Sequence, residues 1–425
     1  MKKLLAILIL FSTSLIVAQV ENSGSIDQRN FYPVFYIDAA NYKSTEIGKT
    51  RVDIFIQVPY SSLQFILDNG KYLAKYSVQL SLYDKDNNKK IIERIWNEDV
   101  TVNSFEETKS QLSYNYSYKN FVVEPGIYQL RCELTDRDSR KNYVVNAVAN
   151  VAEFANDLNL SDIIFITKLI KTQQGNQIVP NVSHEVTRND SLIQFFYEVY
   201  SSKQIEVKLT YRVRDKNGEF IYSDSRKEII DSGKTRIYDK ISGRSFSLGS
   251  YDLFVQLTDE NDKLLQTITK KFQSKIFGLP TSINDLDKAV KQMVYIATNS
   301  EIDEIEETED YEEKLNKFQA FWKTKDPNPN TKENPVFIEY YRRVAYADEQ
   351  FKNYVEGWRT DMGMIYILLG PPSNVDRQPV ALSSKPYEVW EYYEINRRFV
   401  FVDETGFGDY RLLNPVYGDW YRFRR

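Results

Sequence analysis

The chain has 425 residues, a formal charge of −5, one cysteine and one histidine. A lone cysteine excludes an internal disulfide, so stability must come from packed cores, and the length allows about two to four domains at roughly 100–200 residues each. Mild acidity without a basic tract argues against nucleic acid as the main partner, while 31 tyrosines and 24 phenylalanines suit β-rich domains and, secondarily, carbohydrate or protein contact surfaces.

Met1-Lys2-Lys3, an apolar run from Leu4 to Val17, and Ala18-Gln19 have the form of a secretory signal peptide. The run is about 14 residues, shorter than the roughly 20 that span a bilayer. Cleavage is expected near Ala18, which makes residues 1–18 the signal peptide. Loss of Lys2 and Lys3 then takes the charge from −5 to about −7. The exit lacks a cysteine, which argues against a lipid anchor. No later segment is long and apolar enough to cross a membrane. The expected location is periplasmic, outer-membrane-associated or extracellular.

An internal repeat follows. Residues 125–136, with Gly126, Tyr128, Leu130, Cys132, Leu134, Thr135 and Asp136, match residues 248–259, with Gly249, Tyr251, Leu253, Val255, Leu257, Thr258 and Asp259. The alternation marks a strand with one buried face, entered from a glycine turn. Upstream, the stretch from Val78 to Asn87 resembles that from Val207 to Gly218. Further upstream, Asp53–Ser62 resembles Gln194–Ser202. Three matches in one order predict a duplicated domain, and short strands between turn signals predict immunoglobulin-like β-sandwiches. The expected boundaries are 19–155 and 156–278.

After Pro280 the period changes. Leu286, Val290, Met293, Ile296 and Ala297 fall at helical spacing. Glu301 to Glu313 reads as a solvated acidic helix or loop. Leu315, Phe318, Ala320, Phe321 and Trp322 form another helical face, broken by the prolines of Asp326–Thr331. A long helix is predicted from about Pro335 to Glu356, with Phe337, Tyr341, Val344, Ala345 and Phe351 inward. Gly357, Trp358, Arg359, Thr360 and Asp361 then read as a helix-to-strand joint. Gly357 is suited to the left-handed turn that ends a helix, Thr360 and Asp361 to bonds with nearby amides, and Trp358 to a core. Strands are predicted over Gly363–Leu369, stopped by Gly370-Pro371-Pro372, and near 386–393, 398–403 and 409–413. The last two are joined by a hairpin over Asp403–Gly408.

These C-terminal residues resemble the GWxTD-domain family of secreted bacterial proteins. The resemblance runs through Leu286–Ala289, Phe321-Trp322, Asp326–Thr331 and Tyr340–Val344. It continues through Gly357, Trp358, Thr360 and Asp361, then Gly370, Pro371 and Pro372, then Tyr387, Glu388, Trp390 and Tyr392. Lys332-Glu333-Asn334 depart mildly from the expected polar run. The resemblance implies an exported or envelope protein, often with β-rich domains ahead of the motif domain, here 279–425. It supplies no activity, so no catalytic residue carries over.

Residue chemistry narrows the choices. A zinc site needs three or four ligands at compact spacing, and His184 and Cys132 lie in different predicted domains. Cys132 pairs with Val255 in the repeat, a buried hydrophobic role. Asp84–Asn88 resembles the start of a calcium loop, but position six is Lys89 and position twelve Ile95. The acidic turns at Asp136–Asp138 and Asp259–Asp262 have hairpin reasons of their own. A catalytic triad would have to use the sole histidine, and no G-x-S-x-G elbow or phosphate loop is present. Carboxylates offer the one enzymatic reading: Asp361, Glu388 and Asp403, near Arg342, Arg343 and Arg359, in a glycosidase-like cleft lined by Trp358, Trp390 and Tyr392. Against it, Asp361 caps a turn, Asp403 starts a hairpin and the tryptophans fill a core. The basic, aromatic end, Trp420–Arg425, reads as a domain edge or as a contact for an acidic partner or glycolipid.

The resulting expectation is two tandem immunoglobulin-like β-sandwiches followed by an α+β GWxTD domain. The expected role is a non-enzymatic envelope protein that binds another envelope protein or assembly, with no cofactor or metal. The motif and interaction residues are Gly357, Trp358, Thr360, Asp361, Gly370, Pro371, Pro372, Tyr387 and Trp390. The alternative is a glycan-binding or glycan-cleaving protein using the same region.

Overall fold

The structure, a computed structural model, describes residues 34–413 except 85–88, 111–112, 173–174, 188–191, 243–245, 277–278, 280–281, 328–333 and 379–384, together with the short strand Ser23–Gly24. The predicted leader, most of the calcium-loop-like stretch, the break after Pro327 and the Trp420–Arg425 end lie outside these residues.

The first half is built from strands β1 (Tyr36–Lys43), β2 (Thr50–Pro59), β3 (Lys71–Asp84), β4 (Lys90–Val102), β5 (Tyr114–Val123), β6 (Gly126–Asp136) and β7 (Asn142–Val151). One antiparallel sheet runs β7-β6-β3-β4 and a second runs β1-β2-β5. Their inner faces enclose a core that includes Ile54, Ile56, Tyr76, Leu80, Leu130 and Cys132. Next come β8 (Ile164–Thr172), β9 (Gly175–Pro180), β10 (Leu192–Ser201), β11 (Ile205–Arg214), β12 (Phe220–Ile230), β13 (Gly233–Ser242), β14 (Gly249–Thr258) and β15 (Leu264–Lys275). Here the sheets run β15-β14-β11-β12 and β9-β8-β10-β13, around a core that includes Phe195, Tyr197, Leu209, Val213, Leu253 and Val255. Strand alternation puts apolar side chains inward in both.

The pairing registers of the two halves correspond. Leu80 faces Cys132 across β3 and β6, and Tyr211 faces Val255 across β11 and β14. Leu80 is therefore the counterpart of Tyr211, and Asp84 of Asp215. The sequence match of Val78 with Val207 is two residues out. A slip of two keeps every side chain on its face, which is why the pattern alone does not reveal it.

The halves meet through the outward faces of β1 and β8. Ala40, Tyr42, Ile164, Ile166 and Phe196 form a small apolar seam there. Beside it lies a buried ionic group. Lys270 Nζ is 2.6 Å from Asp38 Oδ1, and His184 Nε2 is 2.9 Å from Asp38 Oδ2. Lys270 and Asp38 are 2% and 3% exposed. Burial opposes the charge of Asp38, but Lys270 and His184 outweigh it and hold its pKa at about 2. Nearby, Asp162 Oδ2 accepts bonds from the amide and the side chain of Asn41, both 2.8 Å. Burial pushes Asp162 up to about 6 against the pull of Lys270 and those bonds.

The helices follow: α1 (Leu286–Lys291), α2 (Asn299–Glu306), α3 (Tyr311–Thr324), α4 (Pro335–Gln350) and α5 (Asp361–Leu369). Trp322, Tyr340, Tyr341 and Val344 lie at the centre of their core, into which Leu248 and Ile276 also reach. Tyr311 Oη accepts the Leu248 amide at 2.9 Å, joining α3 to the sheets. The described residues end in an antiparallel sheet of β16 (Asn374–Gln378), β17 (Tyr387–Tyr392), β18 (Arg397–Asp403) and β19 (Tyr410–Leu412).

Three expectations are corrected here. Gly363–Leu369 is helical, not a strand. Its run is buried nearly all round, so no period distinguishes helix from strand. The helix from Pro335 stops at Gln350, and Asn353 turns the chain by accepting the Val355 amide at 3.0 Å. Strand β16 was not anticipated, because all five of its residues are exposed and carry no apolar alternation.

Removing one partner of the buried pair strands the other. Lys270→Ala is expected to cost about 3–5 kcal/mol, and the double change Asp38→Asn/Lys270→Met less than the sum of the two single changes, both read by urea denaturation. The pH dependence has two parts. As pH falls from about 4 to about 2, the unfolded chain takes up a proton that folded Asp38 refuses, so stability drops. As pH rises from about 4 to about 6, folded Asp162 retains a proton that the unfolded chain releases, so stability also declines. Melting curves of Asp162→Asn should lose the second slope, worth about 1–2 kcal/mol, and keep the first.

Candidate functional site

Gly357–Arg359 forms a single 3-10 turn between α4 and α5. Gly357 is not left-handed, so the sequence reading of a helix-ending conformation is corrected. Its requirement is room: a Cβ there would stand 1.8 Å from the Ala347 carbonyl oxygen of α4. Gly363, in the first turn of α5, is equally tight, since a Cβ would stand 1.9 Å from the Gly357 oxygen. The two glycines let three backbone segments touch.

Trp358 is 6% exposed and belongs to the helical core. Its amide donates to Asp348 Oδ1 at 3.1 Å, its indole to Glu356 Oε2 at 3.0 Å, and its carbonyl accepts from Tyr295 Oη at 2.8 Å. Lys288 bridges Asp348 and Glu356 at 3.0 and 2.9 Å. Arg359 lies over the Trp358 ring, 4.7 Å from its centre. Thr360 caps α5: its Oγ1 accepts the Gly363 amide at 3.0 Å and donates to the Gly357 carbonyl at 2.8 Å. Asp361 reaches across to β19, where its Oδ2 accepts the Leu412 amide at 2.8 Å. The motif thus ties α4, α5 and the last strand together.

The other candidates lie around this joint. Gly370 ends α5 at φ 81°, a conformation that glycine adopts freely. Its carbonyl accepts from Tyr392 Oη at 2.8 Å, and Pro371-Pro372 prevents continuation of the helix. Arg343 donates to the Ile367 and Leu368 carbonyls and pairs with Glu339 at 2.7 Å, so it serves the helix end and not the cleft proposed around Asp361, Glu388 and Asp403. Tyr387 opens β17, half-buried. Trp390 is 3% exposed, edge-on to Phe401. Its indole donates to Glu388 at 3.1 Å, and Glu388 pairs with Arg377 at 2.9 Å. Asp403 accepts three hairpin amides, from Thr405, Gly406 and Gly408. Burial opposes its charge, but these bonds win and lower its pKa.

A cleft of about 200 Å³ opens beside the joint, lined by Phe351, Asn353, Met362, Arg377, Glu388 and Tyr410 among others. Of the three candidate carboxylates only Glu388 lines it. Sequence reasoning missed two exposed rings next in the chain to its lining residues Asn353 and Gly408. Tyr354 and Phe407 are 82% and 80% exposed, on two loops joined by Asn353 Nδ2 donating to Asp409 Oδ1 at 3.0 Å. An aromatic residue in a segment with turn chemistry was the available signal. Among the described residues, no group of three or more His, Cys, Asp or Glu is disposed to hold a metal ion, and no helix is long and apolar enough to cross a membrane.

Gly357→Ala and Gly363→Ala should each lower the melting temperature strongly, since the obstructing atoms are backbone. Trp358→Ala is expected to cost about 3–5 kcal/mol. Thr360→Ala should cost about 1 kcal/mol, with Thr360→Ser restoring most of it. An unchanged melting temperature in Trp358→Ala would show the ring's role to lie elsewhere.

Among curated proteins no match is found. Solved structures similar to parts of the chain include a Bacteroides uniformis beta-glucuronidase, at TM-score 0.20 and 9% identity over 53% of this chain and 26% of that one. Red sea bream transglutaminase matches at TM-score 0.18 and 8% identity, over 56% and 31%. The chain thus spans about a quarter to a third of the length of these structures, and likenesses of this extent say nothing about its function. The family model of the GWxTD domain matches residues 255–412, beginning inside β14 and ending at the last described strand. The chain therefore carries a GWxTD domain in its C-terminal region.

Proposed function

We propose that this is an exported cell-envelope protein without enzymatic activity, which binds another envelope protein through its GWxTD domain. In this reading two tandem immunoglobulin-like sandwiches, over 19–155 and 156–278, carry an α+β domain over 279–425. The leader-like pattern of residues 1–18 supports export. The observation that carries the binding reading is the pair of exposed rings, Tyr354 and Phe407, with half-exposed Val355 beside them. They stand on loops braced by the Asn353–Asp409 bond and anchored next to the Trp358 joint. Exposed aromatic side chains on a stiff support are the usual anchors of protein interfaces. The motif residues face inward, so they act by holding this surface in shape.

A glycan reading centred on Asp361, Glu388 and Asp403 has less support. Trp358 and Trp390 are buried and offer no open ring face. Asp361 and Asp403 are engaged by backbone amides, and Asp403 is pushed toward the ionised state, opposite to a general acid.

In-cell cross-linking with affinity capture of the full chain should recover one protein in near-equal amount. The double change Tyr354→Ala/Phe407→Ala should abolish capture while the melting temperature stays the same. Undiminished capture by that variant, or no protein captured by the parent chain, would overturn the proposal.

A further inference from the structure

A second cleft lies far from the GWxTD joint, between the duplicated halves. It has a volume of about 390 Å³, within the range of about 300–1,000 Å³ of small-molecule sites. One wall is the outward face of β2 and β5, the other that of β9, β10 and β13, and Tyr42 also lines it. Each wall carries the same device. On one, Phe55 and Tyr118 pair at 5.3 Å with 34° between planes. On the other, Phe196 and Tyr238 pair at 4.9 Å with 37°. The registers make these counterparts: Phe55 is opposite Tyr118, and Phe196 opposite Tyr238.

Charged planar groups sit beside each pair. Arg51 Nε approaches Asp53 Oδ1 at 2.9 Å while its guanidinium lies 4.5 Å above the Tyr42 ring. Glu198 takes Arg236 at 3.3 Å and Lys234 at 3.4 Å, and also bonds the Tyr200 hydroxyl. Asp53 and Glu198 are 5% and 3% exposed. The lining therefore carries two carboxylates and two guanidiniums, each already paired. Burial raises the pKa of Asp53, with Arg51 pulling the other way.

We propose that this cleft binds a neutral saccharide. Tyr118, 46% exposed, and the partly exposed rings of Phe55 and Tyr238 offer apolar faces on both walls, backed on one side by the buried Phe196, and such faces suit the C–H faces of a pyranose. Paired guanidinium and carboxylate groups present donor and acceptor side by side, the pattern that vicinal hydroxyls satisfy. The balanced charge disfavours a phosphate, a polyanion or a cation, each of which would meet a like charge in the wall. The duplication supplies two similar platforms, so the ligand can lie between them with a face on each. This site is independent of the protein-binding surface on the GWxTD domain.

The test is calorimetric titration of the full chain with neutral oligosaccharides: cello-, malto-, xylo-, manno- and chito-tetraose. At least one should bind with a Kd below about 1 mM. Tyr118→Ala and Tyr238→Ala should each weaken it about tenfold or more, while Tyr118→Phe and Tyr238→Phe, which keep the rings, should bind within about threefold of the parent. Arg236→Lys, on a largely exposed side chain, keeps a positive charge beside Glu198 but removes the planar donor pair, and should weaken binding similarly with an unchanged melting temperature. Tyr354→Ala/Phe407→Ala should leave it unaltered. No binding by any member of the panel, or binding indifferent to Tyr118→Ala, Tyr238→Ala and Arg236→Lys alike, would overturn the proposal.

Discussion

A lysine buried to 2% exposure can stay charged only if its partner is fixed beside it. Lys270 lies on β15, and that partner, Asp38, lies on β1, 232 positions earlier. The ion pair is therefore satisfied only when the two sandwich-like halves are docked in one orientation. The apolar seam around Tyr42 and Ile164 supplies attraction with little directional preference, whereas the pair and His184 supply the direction. The walls of the interdomain cleft, the junction of β14 with the helices, and the attitude of the GWxTD domain all inherit that orientation.

The GWxTD motif solves a different problem by similar means. Each of its four defining residues satisfies a contact within the fold: Gly357 by having no Cβ, Trp358 by filling the helical core, Thr360 by capping α5 and Asp361 by holding β19. Close backbone approach and buried polar bonds allow few substitutes. A short signature can thus mark a domain without belonging to its reactive or binding surface.

Much of the β-rich fold was legible because alternation at period two survives averaging over strands, and the repeat pointed to two halves whose strand registers correspond. Cys132 and Val255 read as equivalent core positions, and both are fully buried. The exact register was not legible, because a slip of two leaves the pattern intact. Nor was α5: a uniformly buried run has no period, and the capping role of Thr360 was read only as a turn. At the site, the inward role of Trp358 could be read from its size and neighbours. The reason for Gly357 could not, since closeness to Ala347 depends on how the chain folds back after Gln350. The pairing of Lys270 with Asp38 joins elements that nothing in the sequence brings together.

The inward orientation of the motif separates two kinds of inheritance. Gly357 and Gly363 are pinned by backbone atoms, so drift at those positions is blocked whatever the domain does. Tyr354 and Phe407 are 82% and 80% exposed, so little packing within the fold depends on their side chains. The residues that name the domain thus record how its backbone packs, whereas the two exposed rings answer to no such constraint.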